Sequence, residues 1–127
     1  MLEKCLFEYA VIRLVPRVER EEFVNVGVII YCPAQSFLTV KFEINEKKLC
    51  AFAPDLEISE IEKHLRAFEK ISRGGEDAGA IGKLAAGARF RWLVAPRSTI
   101  VQTSPVHTGL CEDAETALNR LMNLMVR

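Results

Sequence analysis

Hydrophobic positions alternate along the first third of the chain. In residues 37–44, Leu38, Val40, Phe42 and Ile44 fall on every second position, with Thr39, Lys41 and Glu43 between them. A period of two predicts a strand with one buried and one polar face. Residues 23–31 show the same period, with Val24, Val26, Val28 and Ile30 as one apolar face and Asn25 and Gly27 among the positions between. Residues 7–15 form an earlier run of apolar and β-branched residues, broken by Glu8 and Arg13 and stopped by Pro16. A charged connection at 17–22 and a loop at 32–36 separate the runs. Three strands in an antiparallel meander with one wet face are expected.

The period then changes. Ile58, Ile61, Leu65, Phe68 and Ile71 recur at spacings of three and four, the stripe of an amphipathic helix. Ser59 and Glu62 have the spacing of a capping box, and Gly74-Gly75 supplies the stop. A shorter helix is expected at 45–52. Five glycines in 74–87 predict a flexible connector with one weak helix. Gly82-Lys83 is followed by Leu84, so this is no phosphate loop. Residues 90–94 and 99–103 read as a fourth and a fifth strand, stopped by Pro96 and Pro105. The last element, 112–126, is a helix with Ala114, Ala117, Leu118, Leu121, Leu124 and Met125 on its apolar face. The expected fold is α+β: a mostly antiparallel sheet of about five strands with two main helices packed on one face. The 127 residues make one domain.

Composition narrows the function. Seventeen Lys plus Arg balance seventeen Asp plus Glu, so the formal charge is zero. General nucleic-acid binding and polybasic membrane binding both need a basic excess and are not expected. No apolar run approaches the roughly 20 residues of a membrane span. Met1-Leu2-Glu3-Lys4 lacks the start of a signal peptide, so a cytoplasmic location is expected. Cys5, Cys32, Cys50 and Cys111 contain no C-x-x-C pair. They read as reduced thiols packed as small hydrophobes, and neither metal nor cofactor is expected.

One charge asymmetry carries candidate chemistry. No acidic residue lies between Asp77 and Glu112, a stretch holding Lys83, Arg89, Arg91, Arg97 and His107. Within it, Arg97, Ser98, Thr99, Gln102, Thr103, Ser104, His107 and Thr108 combine a guanidinium fork, hydroxyls and an imidazole. Such groups suit an anion, since Arg holds carboxylate or phosphate through two parallel bonds. The competing reading is that the hydroxyls serve turns and Arg97 pairs with an acid. Arg13 and Asn25, on neighbouring strands, form a polar cluster with Glu22 that would flank the segment if the fifth strand joins the same sheet. The ligand-binding set is therefore Arg97, Ser98, Thr99, Ser104, His107, Thr108, Arg13 and Asn25. His107 is the candidate catalytic residue, as general acid/base beside Arg97 on a phosphate ester. No Ser-His elbow is present, and His64 reads as a surface residue among Lys63 and Arg66.

The chain resembles a bacterial family catalogued as domain of unknown function 3037. The matching stretches are Tyr9-Ala10-Val11-Ile12-Arg13, Glu22-Phe23-Val24-Asn25-Val26-Gly27-Val28 and, most specific, residues 95–109, the run APRSTIVQTSPVHTG. Thr103 stands where proline is common in the family. The resemblance carries no activity, substrate or cofactor. It implies a partner role, some members being encoded near a toxin-type protein-kinase homologue. The expected function is a small binding or accessory module. Its anion- or partner-binding segment is 97–109, taking an anionic small molecule or an acidic face of a protein. The alternative is a phosphoester- or nucleotide-processing enzyme using His107 and Arg97. Exposed sheet edges also suit a homodimer.

Overall fold

The structure, a computed structural model, describes residues 3–127. β1 (Cys5–Leu14), β2 (Val24–Cys32) and β3 (Phe37–Phe42) form the expected antiparallel meander. On the other side of β1, two short strands lie end to end. β4 (Val101–Thr103) pairs with residues 12–14, and β5 (His107–Cys111) pairs with residues 5–9. Ser104 bridges the gap between them. Its N–H donates to the Val11 carbonyl and its Oγ accepts from the Val11 N–H, both at 2.8 Å. Pro105 has no N–H with which to continue the ladder, and the buried hydroxyl serves in place of a backbone acceptor.

Among the described residues there are five α-helices: α1 (Glu46–Phe52), α2 (Ile58–Arg73), α3 (Gly79–Gly82), α4 (Ala86–Leu93) and α5 (Ala114–Met125). Against one sheet face, Ile12, Leu14, Ile29 and Val40 pack with Leu49, Ile61, Leu65, Phe68, Phe90 and Leu93. Against the other, Phe7, Val28, Ile30 and Cys32 pack with Ala114, Ala117, Leu118, Leu121 and Met122 of α5. The α+β class and the five-stranded antiparallel sheet are those expected. The helices, however, divide between the two faces and leave neither wholly wet. The reason lies in β2, where Ile29 and Tyr31 need one cover and Val28, Ile30 and Cys32 need another.

A bulge sets the phase of β2. Ile12 pairs with Gly27 and Arg13 with Asn25, which leaves Val26 as the extra residue. Val24 and Val26 therefore share the first face with Ile29, while Val28 and Ile30 turn to the second. The single apolar face expected at 24, 26, 28 and 30 is split by this slip. Gly27 is tied to its place, because a Cβ there would come within 2.5 Å of the Lys41 carbonyl oxygen.

Of residues 90–94, expected as a strand, 90–93 belong to α4 and Val94 is its C-cap. Phe90 and Leu93, three apart, face the core, while Arg91 and Trp92 face outward. α2 starts at Ile58 with Glu57 at its N-cap and no side-chain cap, so Ser59 lies inside the helix and the capping box does not form. α5 has a well-built start. Asp113 accepts from the Thr116 N–H at 3.0 Å and from its hydroxyl at 2.6 Å. The Gln35 amide bridges the Ala114 N–H and the Glu112 carbonyl, each at 2.9 Å. Among the described residues no helix is long and apolar enough to cross a membrane.

Candidate functional site

The arginines of the acid-free stretch are engaged by carbonyls more than by carboxylates. Arg97 folds back on the end of α4, where its Nη2 donates to the Trp92 carbonyl at 2.5 Å and its Nε to Ala95 at 3.3 Å. Its guanidinium lies over the Trp92 ring at 4.7 Å and the Phe68 ring at 5.2 Å. Partial burial holds its pKa below the usual arginine value. Arg89 performs the same service for α2, donating through Nη1 to Ile71 at 2.9 Å and Ser72 at 2.6 Å. The last carbonyls of a helix lack intrahelical partners and carry negative partial charge, so a cation satisfies both needs. Arg91 reaches Glu8 at 2.7 Å and ties α4 to β1.

The hydroxyls divide similarly. Thr99 donates to the Val101 carbonyl at 2.7 Å, and Ser104 holds the strand junction. Ser98 is exposed. Thr108 is exposed opposite Glu8, on the first face. His107 is exposed opposite Tyr9 on the second face, the two rings tilted at 5.5 Å between centroids. Arg97, which packs on Phe68 of α2, lies at the first face. His107 and Arg97 are thus placed on opposite sides of the sheet.

The second face gathers a different set. Arg13 stands between Asn25 of β2 and Gln102 of β4 in register. The fifth predicted strand thus does join the sheet beside Arg13. The Arg13 guanidinium lies 4.0 Å from the centroid of the exposed Phe23 ring. Among the described residues it forms no ion pair, and its buried Nε has no hydrogen-bond partner. Glu22, expected beside it, pairs with Arg20 instead. Asn25 donates from Nδ2 to the Met125 carbonyl at 3.0 Å, while its Oδ1 is buried without a partner. Gln102 donates to the Thr99 carbonyl at 2.8 Å. α5 lies mainly over β2 and β3, with Phe7 of β1 and Cys111 of β5 packed in the same cluster, while Arg13, Gln102 and His107 stand outside that cluster. Tyr9, at the margin of that cluster, pairs with His107 four residues from Arg13 along β1, about 13 Å at strand rise. Phe23 and Tyr9 were not among the residues singled out from sequence. Tyr9 is two steps of period two from Arg13, and that spacing is the signal that could have found it.

Larger concavities lie elsewhere. One of about 610 Å³ runs along α2 past Glu62, Lys63 and Arg66, where Lys63 and Arg66 are paired with Glu60, Glu62 and Glu69. Another of about 600 Å³ mixes Arg17 and Arg20 with Glu22, Asp55 and Glu57. Neither offers an uncompensated cation on an aromatic platform.

Fold and surface together define a small α+β module built on a five-stranded antiparallel sheet, with Arg13, Gln102 and His107 on the second face outside the α5 cluster. The profile of the family described as "Protein of unknown function (DUF3037)" matches residues 9–126, and the chain belongs to that family. No curated protein and no solved structure matches the chain.

Proposed function

We propose that this chain is a binding module that recognises an anionic group through Arg13, on the part of the second face beside α5. The observation that carries the reading is the state of Arg13 itself. Its guanidinium is held on the Phe23 ring at 4.0 Å, has no ion pair among the described residues, and keeps its Nε buried without a partner. A guanidinium seated over an aromatic ring and free of ion pairs keeps N–H donors for a planar carboxylate or a phosphate oxygen pair. Gln102 and, farther along, His107 add polar groups to the same face. The spacing favours an extended anionic partner, such as an acidic segment of a protein, over a small ion spanning both ends.

This places the anion contact on Arg13 rather than Arg97, because the Arg97 fork already holds the carbonyl end of α4. The binding reading is favoured over phosphoester chemistry because His107 and Arg97 point away from one another across the sheet.

A thermal-shift series tests it, with acetate, phosphate, nucleotides and a glutamate-rich peptide as probes. A ligand at 100 times its Kd adds about 2.7 kcal/mol. The reading expects a probe-dependent rise in Tm that Arg13→Gln removes and Arg97→Ala retains. A rise that survives in Arg13→Gln, or no rise with any probe, overturns it.

A further inference from the structure

Three of the four cysteines, far apart in sequence, meet at one end of the second face. Cys5 and Cys111 are direct cross-strand partners at the ends of β1 and β5. Cys32, at the end of β2, packs in the same cluster as Cys111. Cys50 lies apart, exposed on α1.

Strand geometry separates the pairs. Directly opposed residues in an antiparallel ladder have Cα atoms about 4.5 or 5.5 Å apart, within the range a disulfide spans. Cys32 and Cys111 sit on strands with β1 between them and two residues out of register, so their Cα atoms are more than two strand spacings, over about 10 Å, apart. Beyond about 7 Å a disulfide needs backbone movement. Sharing a cluster therefore does not make Cys32 and Cys111 a bondable pair, whereas register makes Cys5 and Cys111 one.

We propose that Cys5 and Cys111 form a cross-strand disulfide when the protein meets a hydroperoxide, with Cys32 left as a reduced thiol beside it. Cys5 is the most accessible of the three, half-buried where Cys32 and Cys111 are buried. Its thiolate attacks the O–O bond of hydrogen peroxide, forming the Cys5 sulfenic acid and releasing hydroxide, which takes up a proton to become water. The Cys111 sulfur then attacks the Cys5 sulfur, the S–O bond breaks, and the hydroxyl leaves as water with the Cys111 thiol proton. Two thiols and one peroxide become one disulfide and two waters. Burial and the neighbouring Cys32 push the Cys111 thiol pKa up, which suits it to the resolving role rather than first attack. The product staples edge strand β5 to β1 beside the start of α5.

The test uses the full chain in a Cys50→Ser background, treated with hydrogen peroxide under native conditions. The expected result is a loss of two hydrogens in intact mass and a single linked peptide pair containing Cys5 and Cys111. Cys32→Ala retains that link and Cys5→Ala removes it. The oxidised form also unfolds at higher denaturant than the reduced form. A link between Cys32 and Cys111, linkage between chains, or stepwise gain of oxygen without any link overturns the proposal. Mapping of the Cys50→Ser protein decides the matter even where a further substitution impairs folding.

Discussion

Ser104 and Val11 exchange two hydrogen bonds of 2.8 Å each, one through the Ser104 backbone and one through its hydroxyl. This pair allows β4 and β5 to run as one interrupted edge along β1. Without the hydroxyl, the Val11 N–H is left buried and unpaired. Ser104→Ala is therefore expected to lower stability by about 1–3 kcal/mol, the cost of an unsatisfied buried donor. Urea denaturation checks it, with an unchanged m-value as the sign that the fold persists.

The helix-end arginines carry a second expectation. Arg97→Ala and Arg89→Ala each remove a cation and its bonds to carbonyls at a helix end. Each is expected to cost about 1 kcal/mol. Arg97→Lys recovers only part of the loss, because an ammonium lacks the fork that contacts both rings while donating to the Trp92 and Ala95 carbonyls. Thermal unfolding of the three variants measures this.

Gly109 lies beneath the ring of its cross-strand partner Phe7. A Cβ at Gly109 would stand 2.5 Å from the ring Cζ and 2.9 Å from Cε1. Phe7 is buried against α5, so the ring has little room to yield. Gly109→Ala is expected to cost about 1–3 kcal/mol by overpacking. Adding Phe7→Leu should make the double variant lose less than the sum of the two single losses. A double-mutant cycle reads the coupling directly.

Asp113 links α5 to pH. Its hydrogen bonds from the Thr116 hydroxyl and N–H hold its carboxyl below the usual aspartate value. A group whose folded pKa is depressed stabilises the fold fully above its unfolded pKa and loses that contribution as pH falls through the folded value. Stability of the unsubstituted protein should therefore decline on acidification through this range. Asp113→Ala should show lower stability at neutral pH and a shallower decline. Paired Tm measurements against pH check the difference in slope.

The sequence made the elements with clean periods legible. β1 to β3 follow from alternation and α2 from its stripe of Ile61, Leu65 and Phe68. Arg-Phe-Arg-Trp at 89–92 alternates charge and aromatic as a strand does, yet it forms α4, because Phe90 and Leu93 meet the core at helical spacing. His107-Thr108-Gly109-Leu110-Cys111 is too polar and glycine-bearing to read as a strand in isolation. It becomes β5 by pairing with β1. The proximity of Arg13 and Asn25 was legible because both lie on predicted neighbouring strands. The engagement of Arg97 was not, since it depends on a helix end that the local pattern conceals. The orphaned Arg13 Nε depends in turn on a bulge at Val26 that no period announces.

The most direct test of the central claim is an NMR titration that follows the arginine side-chain Nε–H signals as a glutamate-rich peptide is added. The account predicts that the Arg13 signal moves first and farthest, with the Phe23 ring and the Gln102 amide moving beside it and the Arg97 signal still. Movement centred on Arg97 and Trp92, with Arg13 unchanged, would contradict it.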